Sequence, residues 1–140
     1  SVTQRFCLAI LQKMSVKEEI VEELHRQEFQ LWLLNLLVRA TKKSSLTSQT
    51  RNSGEPSPGE NGGSSSEIHV FCLDFSSALL ANILHSYQVL DSLERNPRML
   101  SDIMSRLLNL LKEAIPTSVL IHLLICLSYL SKERFSQQLE

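Results

Sequence analysis

The sequence predicts an all-α fold, a stack of repeated helices interrupted by one disordered insertion. Three observations carry that expectation. Apolar residues recur at the helical period of about 3.6 in nearly every segment outside 43–66. The leucine cluster WLLNLLVRA at 32–40 returns as RLLNLLKEA at 106–114. The composition, 43% hydrophobic, 21% charged and 6% aromatic, is that of a leucine-rich chain able to bury a core. At 140 residues that core belongs to one domain, 1–140.

Residues 2–14 place Phe6, Ile10 and Met14 along one side of a helix, with Leu8 and Leu11 beside them, and Ser15 ends the pattern. The next segment, 16–27, opens with Glu18, Glu19, Glu22 and Glu23 and closes with His25 and Arg26, the charge order that suits a helix dipole. A more apolar helix follows over 28–42. Helical periodicity resumes at Glu67 and runs to Ser86, then through 87–95. Asn96 is placed to cap a helix whose first residue is Pro97, and that helix is expected to reach Ile115, where Pro116 breaks it. The last helix spans 117–131, with a second helix end expected at Ser131 and a polar tail after it.

Between 43 and 66 the chain becomes rich in serine and holds all 4 glycines, a composition that buries too little apolar surface to offset its ordering entropy. This segment is expected to be a disordered insertion. Ser57, followed by Pro58, is its candidate phosphorylation site, where a phosphate would add negative charge near any docked partner.

The repeated leucine cluster, with the insertion set aside, implies a unit of about 45 to 50 residues made of one short and two long helices. CLAILQKMS (7–15), ALLANILHS (78–86) and LLICLSYLS (123–131) resemble the third helix of an armadillo repeat. IVEELHRQEFQLWLLNLL (20–37) and VLDSLERNPRMLSDIMSRLLNLL (89–111) resemble its first and second helices. The chain is similar in this way to the armadillo family, which implies a right-handed helical solenoid of about two full repeats with partial repeats at either side. LDFSSALLANILHS (73–86) and TQRFCLAILQKMSVKEE (3–19) are similar to armadillo segments of ciliary basal-body proteins, a resemblance that implies 1–140 to be a fragment of a longer chain. That resemblance implies a cytoplasmic, non-catalytic scaffold in cilium assembly.

Peptide-binding armadillo proteins carry a tryptophan and, four residues on, an asparagine on each third helix. Here Asn82 stands at the asparagine position with Ala78 before it, while the other third helices offer Ala9 with Lys13 and Ile125 with Tyr129. The glycine usual between first and second helices is also absent, replaced near Gln27 and Glu28. Lys13, Asn82 and Tyr129 are therefore the candidate protein-binding residues of a groove formed by successive third helices. The alternative is a structural segment that stacks on flanking repeats. In that case Phe6, Leu8 and Leu11 at one end, and Phe135 and Leu139 at the other, lack capping partners.

Other function classes find little support. With 14 basic and 15 acidic residues the net charge is −1, so no cationic surplus points to nucleic acid or an anionic membrane surface. The apolar run 119–130 is shorter than the roughly 20 residues that cross a bilayer. Three cysteines in apolar surroundings suit a reducing compartment. His69 and Cys72 have helical ligand spacing, but no second pair completes a metal site. No nucleophile motif or phosphate loop occurs, so neither cofactor nor enzymatic activity is expected. The L-x-x-L-L clusters at 33–37, 107–111 and 120–124 have the spacing of groove-docking helices, but also of an ordinary packing face, which is the reading adopted. Trp32 is expected in the core.

Overall fold

The computed structural model describes residues 2–50 and 63–138, with side chains over 2–42 and 71–131. The described residues form α-helices and no strand: α1 (Val2–Met14), α2 (Glu18–Arg26), α3 (Phe29–Thr50), α4 (Gly63–Leu84), α5 (Tyr87–Glu94), α6 (Pro97–Leu110) and α7 (Thr117–Gln138). Helical backbone thus enters the segment 43–66 from both sides, while 51–62, with Ser57, lies outside the described residues.

Each junction follows from local chemistry. Ser15 turns its hydroxyl back onto the Gln12 carbonyl at 2.6 Å, and Lys17 then takes an extended conformation, φ −94° and ψ 126°, so α2 must start afresh. Lys17 supplies no side-chain cap; Glu18 and Glu19 in the first turn face the positive end of the dipole instead. Ser86 caps α5 by accepting from Val89 N–H at 3.4 Å, and Asn96 caps α6 by accepting from Met99 N–H at 3.3 Å with Pro97 behind it.

Two boundaries differ from those expected. α6 stops at Leu110, short of Ile115, because the N–H groups of Lys112 and Glu113 bond three residues back, to Asn109 and Leu110, and Pro116 bars Ile115 from helical backbone. α7 continues through Gln138, so no helix ends at Ser131. The residues that follow Ser131 contain neither proline nor glycine, and Lys132, Glu133 and Arg134 are good helix formers.

Packing follows a fixed step along the chain. α1 lies on α4, α2 on α5, α3 on α6 and α4 on α7, so every helix contacts the one three places on. α4 is the central element, touching α1, α2, α3, α5 and α7. Its apolar residues accordingly cover most of its circumference: Leu79, Leu80, Ile83 and Leu84 are all at 0% exposure. α2 and α5, at the periphery, bury only one stripe each, Val21 in one and Val89 with Leu93 in the other.

Most of the leucine clusters are core. Leu33, Leu37, Leu107, Leu110 and Leu123 are buried, each contributing on the order of 1.5–3 kcal/mol through apolar burial. Leu124, however, is 49% exposed on α7. Trp32 departs from expectation: it is 39% exposed and stacks on Phe29 with ring centroids 5.0 Å apart. At two residues from buried Gln30 it is turned by about 200° on the helix, onto the side away from the core. Leu8, expected at an uncapped end, is buried at 1%, and Leu11 packs against the same cluster.

Candidate binding surface

α4 leaves one strip of its surface uncovered between α1 and α7. Phe71, Asp74, Phe75, Ala78, Asn82 and His85 lie on it at helical i, i+3 and i+4 spacing, exposed or half-buried, while the positions between them are buried. The strip exists because neighbours fill the other sides of α4, which leaves a single direction open to solvent.

The two flanking helices furnish its edges. Near the start of the strip, the Arg5 guanidinium of α1 lies 4.2 Å from the Phe71 ring centroid, a cation–π contact, and 6.0 Å from that of Phe6. Midway, the Ser77 hydroxyl donates to the Asp74 carbonyl at 3.0 Å and stands 2.9 Å from His122 Nδ1 of α7. With its proton so used, Ser77 Oγ accepts from that nitrogen. The same His122 nitrogen is 3.9 Å from Asp74 Oδ1, an atom that is buried without a hydrogen-bond partner. Near the end, the Asn82 amide donates to Ser15 Oγ at 2.8 Å and to the Gln12 carbonyl at 3.4 Å, while the His85 and Tyr129 rings meet at 5.1 Å and 53°.

The three candidate residues thus lie on three adjacent helices, Lys13 on α1, Asn82 on α4 and Tyr129 on α7. Their surroundings differ. Lys13 is exposed; Asn82 is half-buried with its N–H donors directed at the C-terminal turn of α1; Tyr129 is half-buried against His85. Asn82 is a strut between helices, which the sequence did not disclose, since its acceptors sit on a helix about 70 residues earlier. Phe71, Phe75 and His85 also escaped sequence reasoning. Phe71 and Phe75 are four residues apart and His85 falls ten further on, close to the same side of the helix, but only the neighbouring helices decide which side of an apolar helix stays open.

A Ser–His arrangement occurs elsewhere, in a cleft of about 470 Å³ between α2 and α5. His25 Nε2 is 2.9 Å from Ser92 Oγ, and Gln30 Nε2 is 3.0 Å from His25 Nδ1. The Gln30–His25–Ser92 chain of contacts ties α2 to α5 and to the start of α3. A second hollow, about 360 Å³, lies between α3 and α6, where Arg106 bonds Asn35 at 2.7 Å and Asp102 at 3.2 Å. Cys126 is buried, and burial pushes its thiol up to about 12, which leaves it protonated and unreactive. Among the described residues no group of three or more His, Cys, Asp or Glu side chains could hold a metal; Cys72 is buried and the His69 side chain lies outside the described residues.

No family model, curated protein or solved structure matches this chain. Its function has to be argued from its own surfaces. No helix among the described residues is long and apolar enough to cross a membrane.

Proposed function

We propose that this chain is a non-catalytic protein-interaction scaffold, an armadillo-type right-handed solenoid in which α1, α4 and α7 are successive third helices. The three-helix packing step supports the solenoid reading, as does the alignment of α3 with α6 through the repeated leucine cluster. The observation that carries the functional reading is the open strip of α4 between α1 and α7. It offers a partner two aromatic rings, Phe71 and Phe75, at one end and hydrogen-bonding side chains, Asn82, His85 and Tyr129, at the other. A protein segment with apolar side chains followed by exposed backbone groups fits that order. The Asn82 donors are held by α1, so the contact does not reproduce the asparagine ladder of peptide-binding armadillo proteins. The resemblance to basal-body armadillo proteins makes the cytoplasm, at the base of the cilium, the place to look for that partner.

The test is affinity capture from ciliated cells followed by mass spectrometry, with the wild-type chain, the double variant Phe71→Ser/His85→Ala, and a chain lacking residues 51–62. Partners lost from the double variant while circular dichroism stays unchanged support the strip. Partners lost only with residues 51–62 move the binding function to that segment and its Ser57, and overturn the reading.

A further inference from the structure

The open strip of α4 carries a charge pattern that selects among protein partners. Arg5 of α1 is half-buried at its aromatic end, with the guanidinium over the Phe71 ring, 4.2 Å from the centroid. Phe71 belongs to α4, so this cation is presented to the strip and not to the outer face of α1. Stacking engages the flat face of a guanidinium and leaves its N–H donors, which lie in the plane, free at the rim of the ring. Among the described residues no carboxylate lies within ion-pair distance of Arg5, nor of Lys13, which stands about 12 Å further along α1.

The opposite sign is scarce on these helices. Over the described side chains of α1, of α4 from residue 71 and of α7 to residue 131, Asp74 is the one acid. It sits on the α7 edge, and its Oδ1 is buried 3.9 Å from His122 Nδ1. A basic segment laid on the strip would therefore meet two like charges and one half-buried carboxylate. An acidic segment meets two cations. Phe71, 41% exposed, and half-buried Phe75 add an apolar surface directly beside the first of them.

We propose that the strip selects an acidic protein segment in which Asp or Glu adjoins apolar residues. The carboxylate bonds the Arg5 fork at the edge of Phe71, the apolar side chains cover Phe71 and Phe75, and a further acid faces Lys13. This rests on the strip being the binding surface and names the class of partner it takes. Pairs at such an open site contribute about two- to fivefold each in affinity, so they choose the sign of the partner more than they hold it.

Selection of a random phage-displayed peptide library on the 140-residue chain, with fluorescence polarisation of the peptides recovered, tests it. Peptides that lose binding to Phe71→Ser/His85→Ala should carry an excess of Asp and Glu next to apolar residues. They should bind Arg5→Gln/Lys13→Gln about tenfold more weakly and weaken as salt shortens the Debye length from about 10 Å to about 3 Å. Selection on Arg5→Glu/Lys13→Glu should recover peptides rich in Lys and Arg. If circular dichroism shows the double variants misfolded, Lys13→Gln alone, at an exposed site, should still weaken the acidic peptides about threefold. Strip-dependent peptides with no excess of acid, or with undiminished affinity for the chains lacking these cations, overturn the proposal and leave the strip as the binding surface. If no recovered peptide depends on Phe71 and His85, the binding reading of the strip falls and this proposal falls with it.

Discussion

Glu28 stands at φ 54°, in the left-handed region, between α2 and α3. Its N–H bonds the His25 carbonyl at 2.9 Å and its carbonyl accepts from Leu31 N–H at 3.1 Å, so the residue closes one helix and opens the next. A side chain at this conformation sets Cβ against the carbonyl oxygen, at about 1–2 kcal/mol. Replacing it by glycine removes that strain but frees the unfolded chain, which offsets about 0.4–1 kcal/mol. Glu28→Gly should therefore stabilise the protein by about 0.5–1 kcal/mol, equivalent to a few degrees in Tm, on the order of 2–4 °C. Urea denaturation at constant slope measures it. Glu28→Gln is the control, because it removes the carboxylate and keeps Cβ. If Glu28→Gly is destabilising, or if Glu28→Gln stabilises as much, the backbone account of this turn is wrong and the charge is the cause.

Leu33→Ala, at a site with 0% exposure, should cost about 3 kcal/mol by urea denaturation, whereas Leu124→Ala on the exposed side of α7 should stay within about 0.5 kcal/mol. Asn82→Ala leaves the buried Ser15 hydroxyl oxygen without its donor, while the Gln12 carbonyl keeps its bond from that hydroxyl, and should cost about 1–2 kcal/mol, with faster amide exchange in the last turn of α1. Exposed Cys7 should react with a maleimide in the native protein and buried Cys126 only after unfolding. Its pKa of about 12 also fixes a pH window: the folded state keeps a proton that the unfolded chain loses above about pH 8.5. The stability tied to that thiol is full below pH 8.5 and declines toward pH 12, and Cys126→Ala should flatten the alkaline limb of the stability curve.

The helices were legible in the sequence because helical periodicity and capping chemistry are local. Ser86 and Asn96 advertise their helix starts by residue type, and Pro116 advertises a break. The ends that were misplaced lack such punctuation: α7 runs past Ser131 through residues with no breaker, and α6 yields before Pro116 because its last turn tightens. The candidate surface was half legible. Lys13, Asn82 and Tyr129 came from repeat alignment and do fall on adjacent helices. Their partners did not, since whether Asn82 is free or tied depends on Gln12 and Ser15, and whether Tyr129 is exposed depends on His85. Trp32 shows the same limit: an aromatic beside a buried leucine run was assigned to the core, yet one helical step separates core from solvent.

Leucine packing alone leaves the register of such a stack loosely fixed, since rows of leucine at i, i+3 and i+4 can shift by a turn and still interdigitate. Polar side chains break that degeneracy here. Each pair of helices three places apart carries its own link: Asn82 to Ser15 between α4 and α1, His25 to Ser92 between α2 and α5, Arg106 to Asn35 between α6 and α3, and Ser77 to His122 between α4 and α7. A fifth runs from the Ser86 hydroxyl to the Glu18 carboxylate, joining the start of α5 to that of α2. A one-turn slip of any pair would separate the donor from its acceptor, and at the three part-buried links, Asn82–Ser15, Ser77–His122 and Ser86–Glu18, it would leave polar groups unpaired away from water. The leucines therefore supply the stability and the polar links supply the alignment. Three of the five links, at Ser15, His122 and Ser86, lie beside the open strip of α4, so the side chains offered to a partner are held by the same bonds that set the register.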